Sequence, residues 1–251
     1  MGKSCQGGSL KLICGVALFA SCAAGQWLNY PAPGIPRLPD GKPNLSAPVP
    51  RTPDGKPDLS GLWTNDADPL GQRPVERKPG DIVLTPQGKA LQRPRENYFP
   101  GARCLPNILY LAVAPFKIFV SRGTVVMLYE HDTTFRQIFI DGRQLPKDPN
   151  PTFMGYSVGK WDGDTLEVDT SGFNDDELIL PGPHSDALHI IERFRRRDFG
   201  HLEIQATIND PKIYAKPWTI TVNSHLVPDT ELLEYICNEN EKDLKHMVES
   251  K

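Results

Sequence analysis

The chain has no apolar stretch that could cross a bilayer: the run over residues 12–20, for one, is under half of the ~20 residues a spanning helix needs. Cysteine is scarce. Of the five, Cys5, Cys14 and Cys22 fall within the first 25 residues, and only Cys104 and Cys237 lie beyond them. Excess positive charge is also missing, with 28 Lys and Arg against 31 Asp and Glu. Without the first 25 residues, which hold Lys3, Lys11 and no acid, the balance is 26 minus 31, or −5. A nucleic-acid partner is therefore not expected. The spacing Gly-x-Ser-x-Gly occurs once, in Gly155-Tyr156-Ser157-Val158-Gly159, but inside a period-two run rather than at the strand-to-helix turn a nucleophile elbow needs; there is no phosphate-cradling glycine loop, no dinucleotide fingerprint, no Cys-x-x-Cys and no His-Glu-x-x-His. A serine hydrolase of that fold and a nicotinamide enzyme are disfavoured, and no cofactor is implied.

What is present begins with an export signal. Two lysines, a short apolar run and then Ser21, Cys22, Ala23, Ala24 and Gly25 follow the charged, greasy, small-residue order that a secretory peptidase reads. Cleavage after Gly25 is expected, leaving Gln26 first and placing the protein in a periplasmic or extracellular space. Phe19-Ala20-Ser21-Cys22 is a loose lipoprotein pattern, so lipid anchoring at Cys22 is the alternative. In an oxidising compartment Cys104 and Cys237 have only each other and read as a disulfide, the alternative being two buried thiols.

Sixteen of the 25 prolines lie between Pro31 and Pro106. Residues 26–106 therefore read as a proline-rich arm, and residues 107–251 as the main domain. The arm carries an imperfect 14-residue duplication: Pro36-Arg37-Leu38-Pro39-Asp40-Gly41-Lys42-Pro43 returns as Pro50-Arg51-Thr52-Pro53-Asp54-Gly55-Lys56-Pro57. Each copy places a Pro-Asp-Gly-Lys turn. Two copies are too few for a solenoid; Leu45, Leu59, Leu62 and Trp63 suggest that the arm docks rather than floats. Thr85 as N-cap, Pro86 at the first helical position and Pro94 as terminator predict one short helix over 86–93.

After residue 117 the apolar period becomes two. Strands are predicted at 117–121, 124–131, 135–141, 154–161, 164–170, 188–196, 201–209, 214–222 and 231–237, with short turns such as Arg122-Gly123 and Asp162-Gly163 between them. Such a meander removes its exposed edges by closing. The expected fold is all-β: a single antiparallel up-and-down β-barrel, wide enough for packed side chains or one small ligand.

On the strand at 188–196, Leu188, Ile190, Glu192 and Phe194 share one face and His189, Ile191, Arg193 and Arg195 the other. A carboxylate on an apolar face needs a partner, and Arg136, aligned with Ile138 and Ile140, is the candidate. A structural ion pair and a functional acid are both open for Glu192. His184, Asp186 and His189 crowd the approach to the same strand. Their types suit a metal, but histidines five apart on a strand face opposite ways, and no metal is assigned. As an acid–base set, His184, Asp186, His189 and Glu192 would suit hydration, isomerisation or hydrolysis without a cofactor. Tyr129, Trp161 and Trp218, with Tyr156, Phe139 and Phe173, would line a pocket for an apolar or sugar-like molecule, or simply fill a core. Small-molecule binding leads, acid–base catalysis comes second, and a structural or partner-docking role third.

The doubled Pro-Asp-Gly-Lys-Pro element ending in Gly61-Leu62-Trp63, the run Gly155-Tyr156-Ser157-Val158-Gly159-Lys160-Trp161-Asp162-Gly163-Asp164-Thr165-Leu166, and His184-Ser185-Asp186-Ala187-Leu188-His189 before Glu192-Arg193-Phe194 resemble an exported bacterial family of lipocalin-like appearance. The likeness spans nearly the whole mature chain. It implies a barrel and export, and carries no activity with it.

Overall fold

A computed structural model describes residues 31–66, 75–76, 82–91, 115–174 and 183–236. Strands dominate: β1 (Gly61–Asn65), β2 (Val75–Glu76), β3 (Phe116–Ser121), β4 (Thr124–Tyr129), β5 (Thr134–Phe139), β6 (Tyr156–Asp162), β7 (Thr165–Ser171), β8 (His189–Arg196), β9 (His201–Asn209) and β10 (Trp218–Leu226). One short helix, α1 (Pro86–Leu91), accompanies them. Thr85 caps it as predicted, its Oγ1 accepting the Gly88 N–H at 3.0 Å.

The order β1-β3-β4-β5-β6-β7-β8-β9-β10 closes on itself through a β1–β10 pairing, so the sheet is a nine-stranded barrel. The short β2 continues along the β1 edge of β10, opposite Thr221 and Val222. An odd ring cannot alternate direction throughout. Eight of the nine pairings are antiparallel, and β5–β6 is parallel over Ile138↔Ser157 and Phe139↔Val158. The up-and-down order therefore holds with one sense reversed, because residues 140–155 carry the chain from one rim back to the other before β6 begins.

Three further expectations shift. No ladder forms over residues 231–236. That segment lies against the rest of the chain through Lys117–Glu231 (2.8 Å), the Leu233 N–H on Glu130 Oε2 (3.2 Å) and Tyr235 stacked on His131. β10 starts at Trp218 rather than Tyr214: Pro217 has no N–H to give a ladder, and Tyr214 instead bridges Leu84. The stave that closes the ring, β1, comes from the segment that reads as arm. The expected signal peptide and Gln26 terminus, together with Cys22, Cys104 and Cys237, fall outside the described residues.

Side chains alternate as the period-two pattern requires. Leu166 and Val168, Ile190 and Phe194, Leu202, Ile204, Ala206 and Ile208, and Ile220 and Val222 point inward and are buried. The registers place Ser171, His189, Asn209 and Trp218 at one rim, here the upper, and Asp162, Arg196, His201 and Leu226 at the lower.

The duplicated arm meets the lower rim. Both copies fold alike, bridging Arg37↔Pro43 and Arg51↔Pro57, with Gly41 and Gly55 at φ 83° and 79°, the left-handed region glycine enters without cost. In each copy the arginine donates to the glycine carbonyl and then to a carboxylate beyond the arm: Arg37 to Asp229, Arg51 to Asp164. Gly200 donates to the Leu45 carbonyl at 2.7 Å, and a Cβ on Gly200 would sit 2.4 Å from that of Leu45, so the arm approaches as only glycine allows. Leu59 is fully buried. Arg196 fixes the contact: its guanidinium donates to the carbonyls of Asp58 (2.5 Å) and Ser60 (3.2 Å), and lies 4.9 Å from the Trp63 ring and 5.0 Å from that of Phe199. Burial lowers its pKa to about 10, so it stays charged at neutral pH.

Candidate functional site

Five neighbouring strands, β4 to β8, bring inward polar residues together in one cluster, Tyr129, Arg136, Ser157, Thr170 and Glu192, all buried, while Arg196 shares the inward face of β8 at the lower rim. Arg136 Nη1 donates to Glu192 Oε1 at 2.9 Å and Nη2 to Oε2, so guanidinium and carboxylate meet as two forks. Nη2 also reaches Thr170 Oγ1 at 2.8 Å, Nε donates to Ser157 Oγ at 3.1 Å, and the two hydroxyls lie 3.0 Å apart. Arg136 and Glu192 side chains are 2% and 0% exposed. The pair expected from strand alternation is thus present, with two hydroxyls that the sequence reading did not include. Ser157 and Thr170 were findable from the same alternation.

Tyr129 completes the group. Burial raises its phenol to about 12, with Arg136 pulling the other way and Glu192 adding to the rise. The hydroxyl donates to Met127 Sδ at 3.6 Å.

A cross-strand row connects this cluster to Trp218: Ser157↔Thr170, Thr170↔Ile190, Ile190↔Ile208 and Ile208↔Trp218. Trp218 is 3% exposed, and its indole N–H has no acceptor among the described residues. An unmatched buried donor is uncommon and costs about 1–3 kcal/mol. Tyr214 meets Trp218 edge-on at 5.5 Å and donates its hydroxyl to the Pro183 carbonyl at 2.9 Å, tying the loop before β8 to the upper rim. Desolvation raises the Tyr214 phenol further than that of Tyr129.

His184, Asp186, His189 and Glu192 occupy four separate settings. His184 is buried with Nε2 2.6 Å from the Asn174 carbonyl. Asp186 is exposed and paired with Lys212, whose ammonium holds the carboxyl below the usual range. His189 lies on the outer wall against Asp169, and Glu192 faces the interior. Strand parity separates the last two, so they do not converge.

Asp210, absent from the sequence reading, is fully buried at the upper rim. It accepts the Ser185 N–H (2.6 Å), the Ser185 hydroxyl (2.8 Å) and the Lys212 N–H (3.2 Å), shaping the loop that carries His184. It follows the last residue of β9, where alternation has ended and gives no signal.

The aromatics divide in the same way. Tyr129, Phe173 and Trp218 are interior. Trp161 sits near the lower rim with Lys56 of the arm 6.0 Å above its ring, away from Trp218. Phe139 and Tyr156, expected as lining, face outward: they pack together at 5.3 Å, and the Arg143 guanidinium covers Phe139 at 3.9 Å. Both are one residue out of phase with the inward Ile138 and Ser157.

No family model, curated protein or solved structure matches this chain. Among the described residues no helix is long and apolar enough to cross a membrane, and no three His, Cys, Asp or Glu side chains group to hold a metal ion.

Proposed function

We propose that the chain is exported and binds a small molecule with an apolar or sugar-like body in the upper half of the barrel, beside Trp218 and the Arg136–Glu192 cluster. The observation that carries this reading is the Trp218 indole N–H, buried without an acceptor in the same cross-strand row as a hydroxyl of the polar cluster. A ligand oxygen would satisfy that donor, while the ring supplies an apolar or CH-rich contact face. The polar cluster supports the same reading. Apolar side chains of equal size would often stabilise a barrel as well as or better than a buried ion pair, so the cluster has room for a role beyond packing. The lower rim is contacted by the arm, which favours the upper one as the way in.

The test is native mass spectrometry of protein purified from its own host, before and after denaturation, followed by titration of any released compound into Trp218→Phe. Phenylalanine keeps an aromatic face, smaller than the indole, and removes the donor, so affinity should fall about 5–10-fold. No retained compound together with no thermal shift across a small-molecule library, or unchanged affinity in Trp218→Phe, refutes the proposal. Chemical turnover of the bound compound would move the reading to the acid–base alternative.

A further inference from the structure

His201 and His225 stand directly opposite each other on β9 and β10. The Leu226 N–H donates to the Gly200 carbonyl at 2.8 Å, a bond that brackets the pair and makes it a non-hydrogen-bonded one, the kind whose side chains lie closer. Their Cβ atoms are then about 4.5–5.5 Å apart. Both alternate with buried inward neighbours, Leu202 on one strand and Ser224 and Leu226 on the other, so both imidazoles leave the outer wall. They are 36% and 45% exposed.

Each ring is oriented by its own carboxylate through the same nitrogen. His201 Nδ1 lies 2.7 Å from Asp198 Oδ1, and His225 Nδ1 lies 2.5 Å from Asp66 Oδ1. When Nδ1 carries the proton to a carboxylate, Nε2 is left with a bare lone pair. Neither Nε2 has a partner among the described residues. Two bare imidazole nitrogens on facing strands, each backed by an acid, is the donor set of a transition-metal site with its outer shell in place.

We propose that His201 Nε2 and His225 Nε2 together bind one divalent transition-metal ion of the imidazole-preferring class, Zn(II), Ni(II) or Cu(II), with Asp198 and Asp66 as positioning residues. Among the described residues only these two side chains serve as ligands, so water fills the other positions and the ion is accessible from outside the barrel. The site is on the outer wall near the lower rim, and it does not depend on the small-molecule reading.

The test uses the full mature chain without a histidine tag. Calorimetric titration with zinc chloride should give one ion per chain, lost in His201→Ala and in His225→Ala but kept in His189→Ala, whose imidazole lies near the opposite rim. Asp66→Asn and Asp198→Asn should each weaken binding about 10–100-fold, as loss of an outer-shell carboxylate does. Copper(II) added to the unaltered chain should give an electron paramagnetic resonance spectrum with two coupled nitrogens, a result that needs no variant to fold. Absence of binding at millimolar ion, retention in either histidine variant, or a spectrum with fewer than two imidazole nitrogens overturns the assignment.

Discussion

Replacing Arg136 with methionine removes a cation whose side chain is 2% exposed and leaves a carboxylate with 0% exposure. Neither can be rehydrated without opening the barrel. Breaking such a buried pair from one side costs about 3–5 kcal/mol. For a chain of this size about 2–4 °C is lost per kcal/mol, so Arg136→Met should lower Tm by roughly 6–20 °C. Ser157 and Thr170 keep each other at 3.0 Å and should add little to that loss. Changing both partners, Arg136→Met with Glu192→Met, removes the stranded charge and should recover most of the loss, since apolar replacement of a whole buried pair is often neutral or stabilising. Thermal and urea unfolding of the wild type, both single variants and the double variant, followed by far-UV circular dichroism, complete the cycle. A single variant costing under about 1 kcal/mol, or a double variant as weak as the sum of the singles, would refute the argument that the pair is desolvated and mutually dependent.

Strand alternation made much of the barrel legible. Wherever inward residues are apolar and outward ones polar, as in β8 and β9, the period fixes both the element and its face, and it also exposed Glu192 as an exception needing a cation. β1 was hidden because Gly61–Asn65 is five residues long and follows a proline-rich run; what marks it as a stave is its pairing to β3 and β10, which no local signal carries. The 231–236 segment misled in the other direction. Its Leu233 and Ile236 are apolar but 56% and 47% exposed, so composition suggested a strand where no partner edge remained. Asp210 and the Tyr214–Pro183 tie were illegible because they are contacts between a strand end and a loop distant in sequence. The four-residue shift of β10 had the largest consequence for chemistry. A strand ending at Val222 leaves His225 in a loop, whereas one ending at Leu226 sets it across from His201.

Arg51→Ala should melt together with the wild type, because Arg51 and Asp164 are 48% and 61% exposed and such pairs contribute little; a large loss would show the arm to be held by charge. Leu59→Ala, at a fully buried arm position, should instead cost about 2–5 kcal/mol by urea unfolding. Arg196→Ala removes the donor that four carbonyls share, those of Asp58, Ser60, Asp198 and Phe199, and limited proteolysis should then cut first within residues 31–60; unchanged cleavage sites would mean that the arm is anchored elsewhere. The last expectation concerns alkali. The Tyr129 phenol is raised from 10.0 to about 12 in the folded chain, chiefly by burial. A raised folded pKa means that the folded state holds the proton more tightly, so its contribution is complete below pH 10 and disappears as pH rises from 10 to 12, where the unfolded chain ionises first. The loss is about 2–3 kcal/mol at 1.36 kcal/mol per pKa unit. Tyr129→Phe cannot ionise and escapes this term, while Tyr214 and the lysines burden both proteins equally. The stability difference between wild type and Tyr129→Phe should therefore move in favour of the variant by that amount across the interval, and a difference that stays flat from pH 10 to 12 would show that water reaches the phenol.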